Sequence, residues 1–164
     1  IIGSASGNEF KRFAQDITLQ QLVIQANKHL SKLNDRYKIQ KRTDKELELE
    51  IVDLYQANVT RSVKTLSGGE SFLVSLALAL GLSDLAGRNA KIESLFIDEG
   101  FGTLDAATLD SAIGTLESLQ MQGKMIGIIS HVELLKERIT TQIQINKKSN
   151  GNSQVKIEVV SPMY

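Results

Sequence analysis

Apolar residues recur at helical spacing over the first part of the chain. Phe10, Phe13, Ile17, Leu22, Ile24, Ala26, Leu30, Leu33 and Tyr37 fall near three- and four-residue steps with charges between them, which predicts helix from Glu9 to Tyr37. Thr18 is suited to an N-cap, so the expectation is two core-packing helices, the second from Leu19 to Arg36. Residues 1–8 are mostly small and polar and read as a loop. The period then changes to two. Leu47, Leu49 and Ile51 alternate with Glu46, Glu48 and Glu50 in a stretch from Glu46 to Tyr55. Together with Tyr37 to Lys41, this predicts an antiparallel hairpin that turns at Asp44-Lys45. Gln56 to Thr65 is polar and is expected to be a loop, with Arg61 and Lys64 solvated.

The helical period returns at Phe72, Leu73, Leu76, Ala77 and Leu80, predicting a buried helix from Gly68 to about Ala86 that stops at Gly87-Arg88. Ser67 and Glu70 stand three residues apart at its start and form a capping box. Two short apolar runs follow. Ser94 to Ile97 ends in Asp98-Glu99, and Met125 to Ile129 ends in Ser130-His131. Between them lies a helix capped by Asp105 and ended near Gly123, the pattern of parallel strands joined by a crossover. Ser130 and Glu133 suggest another capping box, with His131 in the first turn of its helix. Thr141 to Asn146 and Gln154 to Val160 alternate as two strands around a turn of Lys148 to Asn152. The fold class is α/β, a partly parallel sheet flanked by helices, with the Ser67 helix packed on it.

Composition narrows this picture. The 164 residues suffice for one core, and the net charge of +0 gives no global field for nucleic acid. DNA contact would need a local patch among Lys41-Arg42, Lys45, Arg61, Lys64 and Lys147-Lys148, and is expected to be weak and steeply salt dependent. There is no cysteine, hence no disulfide or thiolate metal site. The apolar stretch Phe72 to Leu82 is short for a membrane span and the N-terminus lacks a signal pattern, so the expected location is cytoplasmic.

The chemistry gathers at three places. Ser67 stands beside Gly68 and Gly69 at a helix N-terminus, where bare N–H groups and the positive end of the macrodipole suit a phosphate oxygen. An apolar strand closed by Asp98-Glu99 suits a nucleotide hydrolase. The aspartate would hold Mg²⁺ through water and the glutamate would deprotonate an attacking water. Consecutive residues at a strand end point to opposite sides. His131 closes the neighbouring strand, where open α/β sheets place their ligands.

In this order, Leu66-Ser67-Gly68-Gly69-Glu70, the strand with Asp98-Glu99, Gly102-Thr103-Leu104-Asp105 and the strand with Ser130-His131 resemble the C-terminal lobe of an ABC-type (P-loop NTPase-like) ATPase head. The resemblance assigns Ser67, Gly68, Gly69 and Glu70 to the signature motif, which caps the γ-phosphate of ATP in trans. It makes Asp98 the Walker B aspartate, Glu99 the catalytic glutamate, Thr103 and Asp105 part of the D-loop at the dimer interface, and His131 the switch histidine. The run Asp98-Glu99-Gly100-Phe101-Gly102-Thr103-Leu104-Asp105, with Ser71 to Leu76 and Ile129 to Glu133, is similar to the SbcC family of SMC-like ATPases, and this likeness runs from Phe10 to the final strand.

That family implies ATP and Mg²⁺ as cofactors. Its partners are the N-terminal lobe of the same protein, a second head in a homodimer, an SbcD-type nuclease acting on DNA ends and hairpins in repair and recombination, and DNA itself, at the nucleoid and without a membrane. Residues 1–37 would be helices at the coiled-coil base and residues 38–164 the lobe. Arginines that relay ATP binding in some relatives are replaced here by Ser71 and Ala79. No Walker A sequence occurs: Gly123-Lys124 has Ser118 in place of the first glycine and Met125 in place of the hydroxyl residue. The chain is therefore expected to be a half-site, inactive without the lobe that carries the phosphate loop. The same motifs fit an SMC-type head in chromosome organisation, or a non-catalytic dimerisation module, though Glu99 speaks against the last.

Overall fold

The first helix, α1 (Asn8–Leu33), is continuous where two were expected. Thr18 does not cap a new helix, because its hydroxyl donates to the carbonyl of Ala14 one turn back (2.9 Å) and the backbone ladder runs on. Only the second half of α1 joins the core, through Val23, Ala26, Leu30 and Leu33. Phe10, Phe13, Ile17 and Ile24 are exposed, so the expectation that they pack in the core is corrected. The computed structural model describes residues 7–45, 47–86, 92–149 and 151–159. The expectations for residues 1–6, Glu46, Gly87, Arg88 and Val160 lie outside the described residues.

A three-stranded antiparallel sheet follows, β1 (Tyr37–Lys41), β2 (Leu49–Asp53) and β3 (Val59–Ser62), in the order β1-β2-β3. The expected hairpin is present, pairing Ile39 with Ile51 and Tyr37 with Asp53. The third strand corrects the expected loop. Val59 to Ser62 pairs with Asp53 to Glu50, and a single 3-10 turn (Val63–Thr65) leads on to Leu66. Arg61 is accordingly not a solvated loop cation. It lies with its guanidinium 5.0 Å from the centre of the buried Tyr37 ring.

Helix α2 (Gly68–Ala86) buries Leu73, Val74, Leu76, Ala77 and Leu80. By length and composition alone it could cross a membrane, but these residues belong to the core and the helix runs along α1. The approach is close at Gly81, where a Cβ would fall 2.6 Å from the backbone nitrogen of Ala26. A polar junction ties the far end of α2 to its neighbours. His29 of α1 meets Asp84 at 2.6 Å, and Lys124 donates to the buried Ser83 hydroxyl at 2.6 Å. The helix packs chiefly on α1 rather than on the parallel sheet, which corrects its expected placement.

Strands β4 (Ser94–Asp98) and β5 (Met125–Ile129) pair in parallel, Asp98 opposite Ile129, and are joined through α3 (Ala106–Met121). Asp105 caps α3 as expected, accepting from the Thr108 amide at 3.0 Å. One face of this pair carries Leu95, Ile97, Ile126 and Ile128 and packs on the core. The other carries Phe96, Met125 and Ile129, which are 70%, 60% and 59% exposed. Parallel strands are normally covered on both faces, and here one face is open. Helix α4 (Glu133–Arg138) begins two residues later than expected. The Ser130 hydroxyl accepts from the Val132 amide (3.2 Å), which leaves His131 in the bend before the helix rather than in its first turn. The last hairpin, β6 (Thr141–Lys147) and β7 (Ser153–Val159), pairs Ile143 with Ile157 and Ile145 with Val155, all four exposed.

Candidate functional site

The capping box at the start of α2 is reciprocal. The Ser67 amide donates to Glu70 Oε2 (2.9 Å), and the Glu70 amide donates to Ser67 Oγ (3.3 Å). The other carboxylate oxygen, Oε1, accepts from the Tyr37 hydroxyl of β1. Burial disfavours the ionised form of Glu70. The Tyr37 hydroxyl, the Ser67 amide and the positive charges of Arg61 and Arg36 outweigh it, and its pKa lies below the usual carboxylate value. The same burial, with the hydrogen bond to Glu70, pushes the Tyr37 phenol up.

Glycine at 69 is a steric requirement of the loop that follows β4. A Cβ there would come within 2.8 Å of the Thr103 carbonyl oxygen, and one on Gly68 would touch the Thr103 methyl at 3.4 Å. Thr103 ends a 3-10 turn (Phe101–Thr103) and its hydroxyl donates to the Gly100 carbonyl at 2.7 Å. Fully buried Phe101 holds that turn edge-on against Phe72 of α2, ring centres 4.8 Å apart. The Asp105 carboxylate also accepts from the Thr108 hydroxyl (2.6 Å), which with the Thr108 amide holds its pKa down. Residues 67–70 and 100–105 are thus one packed unit.

At the ends of β4 and β5 the two outer groups meet. His131 Nδ1 lies 3.2 Å from Glu99 Oε1 and 3.1 Å from Oε2. With the carboxylate as acceptor the ring donates from Nδ1, and Nε2 lies beside Gly102, 3.9 Å from where a Cβ on that residue would fall. Glu99 holds a left-handed backbone, φ 58°, while its amide donates to the Ile129 carbonyl at 2.8 Å. Such a conformation is strained for a non-glycine residue, and positions of this kind gather at functional sites. Asp98, one residue earlier, is exposed and makes no side-chain hydrogen bond or ion pair among the described residues. Glu99 and His131 are therefore brought together. Ser67 and Glu99 are not joined by a direct hydrogen bond, and the loop containing Thr103 lies between them.

The described residues contain no cluster of three acidic, histidine or cysteine side chains that would hold a metal. Magnesium needs no such cage, since one carboxylate, waters and substrate phosphates complete its shell. The free Asp98 carboxylate at a strand end fits that use.

Sequence reasoning did not find Tyr37, Arg36, Arg61 and Asp53 around Glu70. Arg36 pairs with the buried Asp53 through Nε (3.0 Å) and Nη2 (2.7 Å). No motif links these residues. The strand register brings them together, and the charges closing β2 and interrupting β3 were the only signal.

This fold, with its glycine-bearing helix start and its strand-end acid and histidine, defines the C-terminal lobe of an ABC-type ATPase head of the SMC kind. Solved structures agree on the fold. A chain from a structural study of ATP-driven dimerisation and DNA-stimulated activation of SMC ATPases superposes with a TM-score of 0.72 at 15% identity, covering 92% of this chain and 91% of that one. The Smc head domain of Pyrococcus furiosus, solved with an extended coiled coil and the C-terminal domain of ScpA, gives 0.67 at 17% identity, covering 92% of this chain and 38% of that one.

Within that class the chain belongs to the SbcC/RAD50-like family, whose Walker B motif model matches residues 39–118. The SbcC protein of the SbcCD nuclease from Rhodobacter capsulatus is 50% identical over 157 residues, 96% of this chain and 12% of that protein. The SbcC proteins of Pseudomonas aeruginosa (48% identity, 96% and 13%) and Deinococcus radiodurans (41%, 92% and 16%) match likewise. The chain spans less than a fifth of the length of these relatives.

Proposed function

We propose that this chain supplies the signature and hydrolytic half of a composite ATP site, in a protein whose ATP-driven head association regulates a DNA-end nuclease. The observation that carries this reading is the Glu99–His131 pair, held on a strained backbone at the mouth of two parallel strands. Glu99 acts as general base on the attacking water. His131 donates to it from Nδ1 and turns Nε2 toward the phosphates, and the exposed Asp98 holds the Mg²⁺ that accompanies ATP. Ser67, Gly68 and Gly69 present a hydroxyl and amides to the γ-phosphate of ATP bound to a second head. Thr103 and Asp105 lie at that interface, Thr103 against the signature glycines and Asp105 at the cap of α3.

The open faces agree with a missing lobe. Phe96, Met125 and Ile129 form an apolar surface on a sheet that needs a second layer, and the N-terminal lobe with the Walker A loop covers it. The exposed apolar residues of α1 fall at 10, 13, 17 and 24, which is the spacing of a coiled-coil seam and supports reading this part of α1, within the proposed coiled-coil base of residues 1–37, as the foot of a coiled coil. The nuclease named in the relatives docks nearest this foot, and DNA contact is weak and salt dependent for this lobe alone.

The test is Mg²⁺-dependent ATP hydrolysis and self-association by the chain alone and after addition of its N-terminal lobe. The mixture hydrolyses ATP and dimerises, and the chain alone does neither. Hydrolysis by the chain alone overturns the half-site reading.

A further inference from the structure

The two carboxylate oxygens of Glu70 have separate partners. Oε2 holds the Ser67 amide within the capping box, and Oε1 is held by Tyr37 from the antiparallel sheet. Tyr37 is 4% exposed and opens β1, four residues after α1 ends. The guanidiniums of Arg36 and Arg61 each lie 5.0 Å from its ring centre. Arg36 is fixed by Asp53. Arg61 is not: its Nη2 stands 3.6 Å from Glu70 and 3.7 Å from Asp53, and Nε and Nη2 are buried without a hydrogen bond. Two buried, unmade hydrogen bonds are costly unless the group serves another purpose. Its purpose here is charge. A cation this close adds to the Tyr37 and Ser67 hydrogen bonds in favouring the ionised form of Glu70, whose two oxygens are the stronger acceptors for both donors.

We propose that Tyr37 and Arg61 are positioning residues of the signature loop, clamping Glu70 so that Ser67 is presented to the facing head, and tying that presentation to the C-terminal end of α1, where the chain enters β1. The proposal rests on the reading of Ser67 as a γ-phosphate ligand in trans. Neither residue touches nucleotide. Both act through Glu70, so they set how readily heads associate around ATP rather than how fast an assembled site turns over.

The experiment uses the full-length protein with Tyr37→Phe, Arg61→Gln and Arg61→Lys, and with Ser67→Arg as the control. Tyr37→Phe keeps the ring between the guanidiniums and deletes only the hydroxyl. The expected result is about a tenfold rise in the ATP concentration for half-maximal head association, the effect of one hydrogen bond to a charged group. Nucleotide affinity of the single head and kcat at saturating ATP stay near wild type, and the melting temperature falls by no more than the loss of one hydrogen bond. Arg61→Gln shifts association in the same sense, and Arg61→Lys recovers part of it by restoring the charge. If Tyr37→Phe and Arg61→Gln associate like wild type while Ser67→Arg does not, the clamp is refuted and the signature reading stands. If Ser67→Arg also associates like wild type, the signature reading fails and the clamp with it. A loss of association that only follows a fall in melting temperature and single-head binding refutes the clamp as well, since the role is then structural.

Discussion

His131 stands 3.1 Å from the Glu99 carboxylate although 32 residues separate them in sequence. The register of two parallel strands makes that meeting. Asp98 pairs with Ile129, so the residues after each strand emerge together. In the proposed site both act on one step, so their losses should not add. Glu99→Gln in the full-length protein is expected to keep ATP binding and head association while lowering hydrolysis by about 10²- to 10⁴-fold. His131→Ala should lose less, and the double variant no more than Glu99→Gln alone, as single-turnover assays would read.

The backbone at Glu99 carries a second consequence. Its φ of 58° suits glycine, and in the proposed site the carboxylate is what glycine could not supply. Glu99→Gly is expected to raise stability by about 1 kcal/mol, the order of the left-handed penalty less the entropy of glycine, while abolishing hydrolysis. Urea denaturation with a parallel ATPase assay measures both.

At Gly69, a methyl group meets the Thr103 carbonyl at 2.8 Å. Gly69→Ala should force the signature loop away from the Thr103 turn. The expected outcome is loss of ATP-dependent association with single-head nucleotide binding retained, measured by light scattering with and without ATP.

Gly81 has a different role, far from any chemistry. Its Cβ would fall 2.6 Å from the Ala26 nitrogen, so Gly81→Ala must push α1 and α2 apart. A loss of about 1–3 kcal/mol is expected from overpacking, read as a lower urea midpoint.

Asp53 sets an acid limit. The hydrogen bonds from Arg36 lower its pKa from 3.8; burial opposes this, and the Tyr55 amide and the charges of Arg36 and Arg61 add to it. Between the folded and unfolded pKa values the unfolded chain binds more protons, so stability rises with pH there. The contribution is complete above about pH 5 and is lost as pH falls through the lower, folded value. Asp53→Asn should lower the urea midpoint at neutral pH and flatten its fall on acidification.

The parallel pair and its closing acids were legible because apolar runs bounded by Gly-rich turns have few other uses. The Asp105 cap and the last hairpin were legible for the same local reason. Four features were not. Thr18 caps a helix or bonds back along it with the same hydroxyl, and only the continuing ladder decides. Val59-Thr60-Arg61-Ser62 has no apolar alternation, and its strand exists because β2 offers a partner. The Tyr37–Glu70 and His29–Asp84 bonds join residues 33 and 55 positions apart, beyond any local signal. The exposed apolar residues of α1 and of β4 and β5 looked like core in sequence, because apolar spacing marks a buried face without saying which chain segment buries it.

In the proposed composite site, Ser67 acts on the nucleotide of the opposite head and Glu99 on that of its own. Full-length Ser67→Arg and Glu99→Gln proteins are each expected to be nearly inactive as homodimers. Covalently tethered as one pair of heads, so that pairing does not depend on Ser67, one of each leaves one of two sites with an intact Glu99 facing an intact Ser67. Hydrolysis should recover to about half of the rate of a tethered wild-type pair. A tethered pair as inactive as either variant contradicts this arrangement, because Ser67 and Glu99 would then serve the same head.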